Sequence, residues 1–156
     1  MMMPKTIPLT QGRQAIVDDE DYPVLAQYRW HYSQGYACRM VRRNGHRSVY
    51  KMHWAILCQR PELDIDHING DRLDNRRQNL RYASRSQNNA NRHAITSSSG
   101  FKGVCWRPIP RRWKAYIKVN RKQIHLGYYS TPEEAAQAYN QAALQHYGAY
   151  AHLNEV

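Results

Sequence analysis

A short break in the sequence pattern at His93–Gly100, HAITSSSG, favours an arrangement of two small domains over one continuous fold. Four small polar residues and a glycine interrupt helical and strand periodicity there, as is typical of a connection between folded regions. The chain has 156 residues, of which 42% are apolar, enough to supply a hydrophobic core. We therefore predict two domains, residues 1–96 and 97–156.

The charge of the chain points to a polyanionic partner. Lysine and arginine number 23 against 12 acids, which gives a net charge of +11. Nucleic acid is the first candidate and an anionic membrane surface the second. Residues 39–60 hold six basic residues and residues 100–125 hold eight, with no acid in either stretch. Such runs, interleaved with tyrosine or tryptophan, favour contact with phosphate.

The sequence gives no sign of export or of a membrane span. No apolar run approaches the roughly 20 residues that a spanning helix needs. Met1–Thr10 lacks the apolar segment of a signal peptide. The cysteines, at positions 38, 58 and 105, form no C-x-x-C pair, which excludes a cysteine-based zinc knuckle and disfavours a disulfide framework. We expect a reduced, cytoplasmic protein that is not secreted.

The second half of the chain is predicted to be three strands followed by one helix. The strands are Lys102–Arg107, Trp113–Val119 and Gln123–Tyr129. Thr131 and Glu134 form a capping box that starts a helix, which ends at a glycine, Gly148. The apolar face of this helix consists of Ala135, Ala136, Tyr139, Ala142 and Ala143.

Shorter elements are predicted in the first half, which makes the whole chain α+β. Ile7–Leu9 and Ala15–Val17 read as one hairpin. Tyr36–Val41 and Ser48–Met52 flank Asn44-Gly45, a strong hairpin signal. Helices are predicted from Asp18 toward Tyr28 and from His53 to Cys58, where Pro61 ends the second.

The densest polar cluster, residues 64–91, carries the residue types that can do chemistry. Asp66 and His67 end a predicted strand, Asn79 begins the returning strand, and Asn88 lies in the first or second turn of a following helix. This strand, loop, strand and helix can bring Asp66, His67 and Asn88 together. An exposed polar loop is the alternative reading of the same composition.

These residues suit hydrolysis of a phosphodiester. His67 can take a proton from water near neutral pH, because an unperturbed imidazole has a pKa of about 6.5. Asp66 and Asn88 offer hard oxygen ligands suited to Mg²⁺. Asn79 cannot do acid–base work, but its amide could orient His67 or brace the loop.

Residues 66–91 resemble the HNH endonuclease motif, the ββα-metal site, in its HNN variant found in phage and intron-encoded homing endonucleases. The resemblance implies a ββα core at about residues 64–93, with His67 as general base and Asn79 supporting it. It also implies one divalent metal on Asp66 and Asn88, with Mg²⁺ first and Mn²⁺ or another transition metal as alternatives. Asn89 and Asn91 are rival candidates for the second ligand.

Two further histidines flank the motif. His53 is expected to be structural or on the surface rather than a ligand. His93 has a similar position in the sequence and is a candidate for phosphate contact.

Residues 97–156 resemble the AP2/ERF DNA-binding domain along their whole length. The matching segments are Gly103-Val104, Trp113-Lys114-Ala115, Leu126-Gly127-Tyr128, Glu134-Ala135-Ala136 and Leu153-Asn154. The resemblance implies a three-stranded antiparallel sheet packed on one helix, with the sheet in the major groove. By position, its DNA contacts are Lys102, Cys105, Arg107, Lys118, Gln123 and His125. Trp106 and Trp113 could contact DNA or pack, and packing is favoured for Trp113.

The two resemblances together predict a metal-dependent DNA endonuclease of the homing type, targeted by its second domain. The alternative is a non-catalytic DNA-binding regulator in which the nuclease-like part is only a scaffold. The expected partner is double-stranded DNA, and no membrane partner is expected. The expected oligomeric state is a monomer or weak homodimer. The expected setting is the cytoplasm of a bacterial or phage-infected cell.

Overall fold

Residues 3–93 and 97–156, which the computed structural model describes, contain four small antiparallel sheets, each formed by strands that follow one another in sequence. The predicted α+β class is confirmed. Internal contacts divide the chain into two units, Met1–Ala83 and Ser84–Val156. The predicted linker, residues 93–100, falls partly on residues 94–96, which lie outside the described residues. The domain boundary near residue 97 stays a prediction.

Short hairpins make up most of the first unit. Its elements in chain order are β1 Lys5–Pro8, β2 Gln14–Val17, α1 Tyr22–Leu25, β3 His31–Ser33, β4 Tyr36–Arg43, β5 His46–Lys51, α2 Met52–Leu57, β6 Asp64–His67 and β7 Leu80–Ala83. Both predicted hairpins are confirmed, β1 with β2 and β4 with β5. Asn44 and Gly45 join β4 to β5 with φ of 50° and 79°. Positive φ at both central residues is the geometry of the two-residue hairpin turn that this dipeptide favours.

Both helices predicted in this unit exist, but their bounds differ from the sequence reading. The helix expected from Asp18 to Tyr28 is only α1, with Asp21 as its N-cap residue. The side chains of Asp18 and Asp21 do not cap it, and bind the Arg77 backbone and guanidinium instead. The helix expected to end at Pro61 stops earlier, because Cys58 takes a φ of 53°, outside the helical region.

One hydrophobic cluster holds the first unit together. Its buried members come from β1, β2, α1, β4, α2, β6 and β7 and from the segments that join them: Ile7, Leu9, Ala15, Val17, Leu25, Trp30, Ala37, Met52, Ile56, Ile65 and Leu80. Met52 is fully buried at the start of α2. Ile65 and Leu80 fix β6 and β7 against this core, which sets the strand ends on which Asp66 and His67 lie.

The second unit is the predicted three-stranded sheet with a long helix, preceded by one short helix. Its elements are α3 Arg85–Ala90, β8 Val104–Arg107, β9 Arg112–Val119, β10 Lys122–Tyr129 and α4 Pro132–Tyr147. Thr131 Oγ1 accepts from the Glu134 backbone, and the Glu134 carboxylate accepts in return, which confirms the capping box. The predicted apolar face of α4 is buried, with Tyr147 as a further member.

A glycine allows α4 to lie close to the sheet. Gly103 has a φ of 75°, and a Cβ added there would lie 2.1 Å from Tyr139 Cδ2 and 2.5 Å from the Tyr116 carbonyl oxygen. No side chain other than hydrogen fits this position without displacing α4. Within the described ranges, no helix is long and apolar enough to cross a membrane.

Candidate active site and nucleic-acid interface

The hairpin of β6 and β7 places Asp66 and His67 side by side at a strand end. The strands pair antiparallel, with Asp66 opposite Arg81 and His67 opposite Leu80. Both residues are buried, with 4% and 5% of their surface exposed. Because successive side chains of a strand point to opposite faces, the two functional groups leave the backbone in different directions.

His67 lies in surroundings that favour its neutral form. Burial lowers the pKa of its imidazole from the ordinary value, and a hydrogen bond with Asn75 acts in the opposite direction. Nε2 of His67 is 3.4 Å from Asn75 Oδ1. An amide oxygen only accepts, so Nε2 carries the proton and the lone pair lies on Nδ1. A neutral imidazole with a defined lone pair is what a general base requires at neutral pH.

Asn79 braces the loop between the two strands. Its Oδ1 accepts from the Asn69 backbone amide at 3.0 Å, and its Nδ2 donates to the Asp74 carbonyl at 2.7 Å. Of the two roles predicted for this amide, these bonds support the second. They hold the loop that carries Asn75.

A second set of bonds fixes the same loop. Arg76 binds the Asp74 carboxylate with two nitrogens, at 2.8 and 2.6 Å, and Asn69 Nδ2 donates to it at 3.0 Å. The Arg76 guanidinium holds the pKa of the Asp74 carboxyl below its usual range. Asp74 and Asn75 are almost fully buried. Asn75 was not identified from the sequence as a partner of His67.

Asp66 is paired with an arginine from the neighbouring strand. Arg81 Nε and Nη2 lie 2.9 and 2.8 Å from Asp66 Oδ2. Sequence reasoning did not anticipate this ion pair, although the cross-strand register places the two residues opposite each other. A metal ion bound to Asp66 would share the carboxylate with Arg81.

The second predicted metal ligand lies on α3, in the second unit. Ser84 caps the helix and exchanges hydrogen bonds with Gln87, and the Asn88 amide donates to the Ser84 carbonyl at 2.9 Å. Asn88 is half-buried, whereas Asn89 is exposed and Asn91 is buried. In the described part of the chain, no group of three or more His, Cys, Asp or Glu residues is placed to hold a metal ion. The donor set of one carboxylate and one amide oxygen nevertheless has the hard character that Mg²⁺ prefers.

Contacts within the second unit hold α3 in place. Ser86 Oγ lies 2.8 Å from the Tyr147 hydroxyl and accepts from the Asn120 amide at 3.1 Å. Ala90 is buried in the same cluster as Ile117 and Tyr139. The helix that bears Asn88 is therefore part of the second unit's core.

The two flanking histidines have different surroundings. His53 is buried, and its ring lies 5.1 Å from that of His67 in an edge-to-face contact. Burial lowers the pKa of His53 to about 3, so it stays neutral and packs against His67, which supports the structural role predicted for it. His93 stacks on His152 with ring centroids 3.9 Å apart. Its phosphate contact stays a prediction.

The sheet of the second unit presents a basic face. Opposite pairs across the strands are Arg107 with Arg112, Cys105 with Lys114, His125 with Tyr116, and Gln123 with Lys118. Partners directly opposite share a face, so these residues lie on one side, while Val104, Ala115 and Ile117 face α4. Arg112 and Lys114 extend the basic face that the sequence reading described.

Three of the residues singled out in the sequence do not lie on this face: Lys102, Trp106 and Trp113. β8 begins at Val104, so Lys102 precedes the sheet, and its Nζ donates to the backbone carbonyls of Ala90 and Arg92. Burial lowers the pKa of Lys102 to about 8. Its DNA contact stays a prediction. Trp113 packs with the Val104 cluster, as predicted, and Trp106 lies against it at 5.2 Å.

Comparisons with known proteins match both parts of the chain. The HNH endonuclease family model matches residues 46–90, and the AP2 domain model matches residues 99–149. A protein of Acanthamoeba polyphaga mimivirus, described as an uncharacterized HNH endonuclease, is 30% identical over 150 residues, which cover 94% of this chain and 77% of that protein.

Two proteins of Arabidopsis thaliana match a shorter part. One, described as ethylene-responsive transcription factor-like, is 36% identical over 80 residues, covering 51% of this chain and 34% of that protein. The other, an ethylene-responsive transcription factor, is 41% identical over 71 residues, covering 44% of this chain and 36% of that protein. No solved structure gives a significant match. These matches confirm both resemblances found in the sequence.

Proposed function

Because this chain belongs to the HNH endonuclease family and carries an AP2 domain, we propose that it is a metal-dependent endonuclease of the homing type that hydrolyses phosphodiester bonds in duplex DNA. The AP2 domain is proposed to supply most of the affinity and to choose the target. The observation that carries the proposal is the state of His67, a buried and neutral imidazole beside Asp66 at the end of β6.

In the proposed reaction, His67 acts as general base. Water attacks the phosphorus atom while the bond from phosphorus to the leaving deoxyribose oxygen breaks. The Nδ1 lone pair of His67 takes the proton that the water loses, and the leaving oxygen takes a proton from solvent. Asn75 holds Nε2, and the loop braced by Asn79 holds Asn75. A general base in this position typically accelerates the reaction about 10²–10⁴-fold.

Asp66 and Asn88 are the residues that would hold one divalent ion, with Mg²⁺ the first candidate. When bound, such an ion stabilises negative charge on the phosphate and on the leaving oxygen. Asp66 contributes the charge and Asn88 a neutral carbonyl oxygen.

The basic face of the second unit is the proposed DNA surface. Arg107, Lys118, Gln123 and His125 were predicted as contacts from the sequence, and Arg112 and Lys114 now join them on the same side of the sheet. Arginine and lysine neutralise phosphates or bind guanine edges, while glutamine and histidine offer donors for base edges.

A second candidate is a DNA-binding regulator without nuclease activity. It is favoured by the transcription-factor relatives, which match 51% and 44% of this chain. The two candidates are distinguished by incubating supercoiled plasmid with the protein in Mg²⁺ or in chelator and resolving the products on a gel. Nicked or linear DNA in Mg²⁺ alone supports the endonuclease. Binding without cleavage in Mg²⁺, Mn²⁺ and Co²⁺ supports the regulator.

A further inference from the structure

We propose that the hairpin of β4 and β5 is a second DNA-binding element, which inserts into a groove of duplex DNA independently of the AP2 sheet. The proposal deepens the proposed function, since it rests on duplex DNA being the partner. It concerns the first unit alone and residues that neither the catalytic site nor the AP2 face uses.

The outer part of this hairpin is a two-stranded ribbon. β3 pairs only with residues 36–38 of β4, whereas β4 and β5 stay paired from Cys38 and Lys51 out to Arg43 and His46. Five residue pairs beyond Cys38 extend about 17 Å at the usual rise of a strand. A two-stranded ribbon fits the major groove, which is about 12 Å wide.

One face of the ribbon is largely exposed among the residues that the structure describes. Met40 and Val49 lie directly opposite each other and remain 53% and 48% exposed. Arg42 and Arg47, the next pair on the same face, are exposed as well. The opposite face is anchored through Arg39, whose guanidinium carbon lies 3.6 Å from the ring centroid of Tyr28.

The arginine pair lacks a counter-charge. Like charges directly opposite each other destabilise a hairpin. No acid occurs in residues 39–60. Among the residues described, neither Arg42 nor Arg47 takes part in an ion pair, whereas Arg76, Arg77 and Arg81 of the same unit all bind carboxylates. A polyanion supplies the missing charge.

The chemistry of this face fits DNA better than a membrane. Arginine binds phosphate or the edge of guanine, and apolar side chains contact the methyl group of thymine. An arginine pair beside an apolar pair matches both kinds of contact in one groove. Two apolar side chains bury too little surface to hold a protein on lipid by themselves.

The test uses the full chain with both arginines replaced, Arg42→Ala and Arg47→Ala. Binding to a linear plasmid fragment is measured in chelator, over a range of salt concentrations. Two lost phosphate contacts reduce the slope of log K against log salt by about 1.8, at about 0.9 for each contact. The matched control replaces two exposed arginines of the same unit away from the ribbon, Arg13→Ala and Arg29→Ala, and is expected to keep the wild-type slope.

A charge-preserving variant separates charge from fold. Arg42→Lys with Arg47→Lys is expected to restore the wild-type slope, and thermal unfolding should show that every variant is folded at the assay temperature. An unchanged slope in the alanine pair, an equal loss in the control pair, or no restoration by lysine would each overturn the proposal. Binding to phosphatidylserine vesicles is measured for the same variants. If the alanine pair loses binding to these vesicles but not to DNA, the proposal is overturned and the ribbon is assigned to a membrane. If the wild-type chain binds no duplex DNA, both this proposal and the proposed function fail. If the wild-type chain binds duplex DNA and the ribbon variants bind it with the wild-type slope, only this proposal fails.

Discussion

The reactivity of His67 is set by burial and by its polar neighbours, which shift the pKa of its imidazole in opposite directions. Burial lowers the pKa of its imidazole, and the bond with Asn75 raises it. With the pKa below its ordinary value of about 6.5, the neutral base persists into mildly acidic solution. We expect the cleavage rate to fall on the acidic side only below pH 6.5.

Substitutions of Asn75 should move this acidic limb in opposite directions. Asn75→Ala removes a bond that favours the charged imidazole, so the limb moves to lower pH. Asn75→Asp adds a negative charge beside Nε2, so the limb moves to higher pH. The measurement is the single-turnover rate of plasmid cleavage against pH. A purely structural role would lower the rate at every pH and leave the limb in place.

The two proposed metal ligands differ in charge, so they should differ in how much each contributes to metal affinity. Asp66→Asn is expected to cost more Mg²⁺ affinity than Asn88→Ala does, and excess Mg²⁺ should rescue the Asn88 variant better. The measurement is nicking rate against Mg²⁺ concentration. Wild-type metal dependence in Asn88→Ala, together with its loss in Asn89→Ala or Asn91→Ala, would reassign the second ligand. Normal cleavage by all variants in chelator would contradict the metal mechanism.

Among the elements, the contact of α4 with the sheet depends on one residue without a side chain. Gly103→Ala places a methyl group 2.1 Å from the Tyr139 ring and 2.5 Å from a backbone oxygen. We expect it to lower the free energy of unfolding of the second unit by about 3 kcal/mol.

Gly100→Ala is the matched control for this prediction. Gly100 has nearly the same φ, 74°, but nothing lies within 4 Å of an added Cβ. Its cost should be the backbone strain alone, about 1 kcal/mol. Urea unfolding of both variants measures the difference. Equal costs would show that α4 shifts to accommodate the methyl group.

Elements with strong local signals could be predicted from the sequence, and those that depend on partners could not. The Thr131–Glu134 capping box and the Asn44-Gly45 turn act on their own backbone, so they appear where predicted. Asp18 and Asp21 suggested a helix start, but Arg77, more than 50 positions away in the sequence, binds both. Nothing in the local pattern indicates such a partner.

At the scale of the whole molecule, the motif of the first domain extends into the second compact unit. The HNH match reaches residue 90, while the units divide between Ala83 and Ser84. The sequence predicted the order and types of Asp66, His67, Asn79 and Asn88. It could not show that α3 is buried by residues 117–147, since that packing depends on tertiary contacts.

This packing predicts how far the second unit can be shortened from its N-terminal end without losing stability. A fragment of residues 84–156 keeps α3, whose Ala90 packs with Ile117 and whose Ser86 bonds to Tyr147. A fragment of residues 99–156 loses these contacts and exposes the apolar residues beneath. We expect its free energy of unfolding to be lower by about 2 kcal/mol, from the lost bonds and apolar burial. Urea unfolding of the two fragments tests this, and equal stability would contradict the role of α3.

The assignment of His67 as general base is tested most directly by single-turnover cleavage of supercoiled plasmid in Mg²⁺, comparing wild type with His67→Ala. DNA binding is measured in parallel in chelator. His146→Ala serves as the control, because it removes an exposed histidine outside the proposed catalytic and DNA-binding residues. We predict that His67→Ala lowers the cleavage rate about 10²–10⁴-fold while DNA binding is unchanged. Cleavage by His67→Ala at the wild-type rate would contradict it.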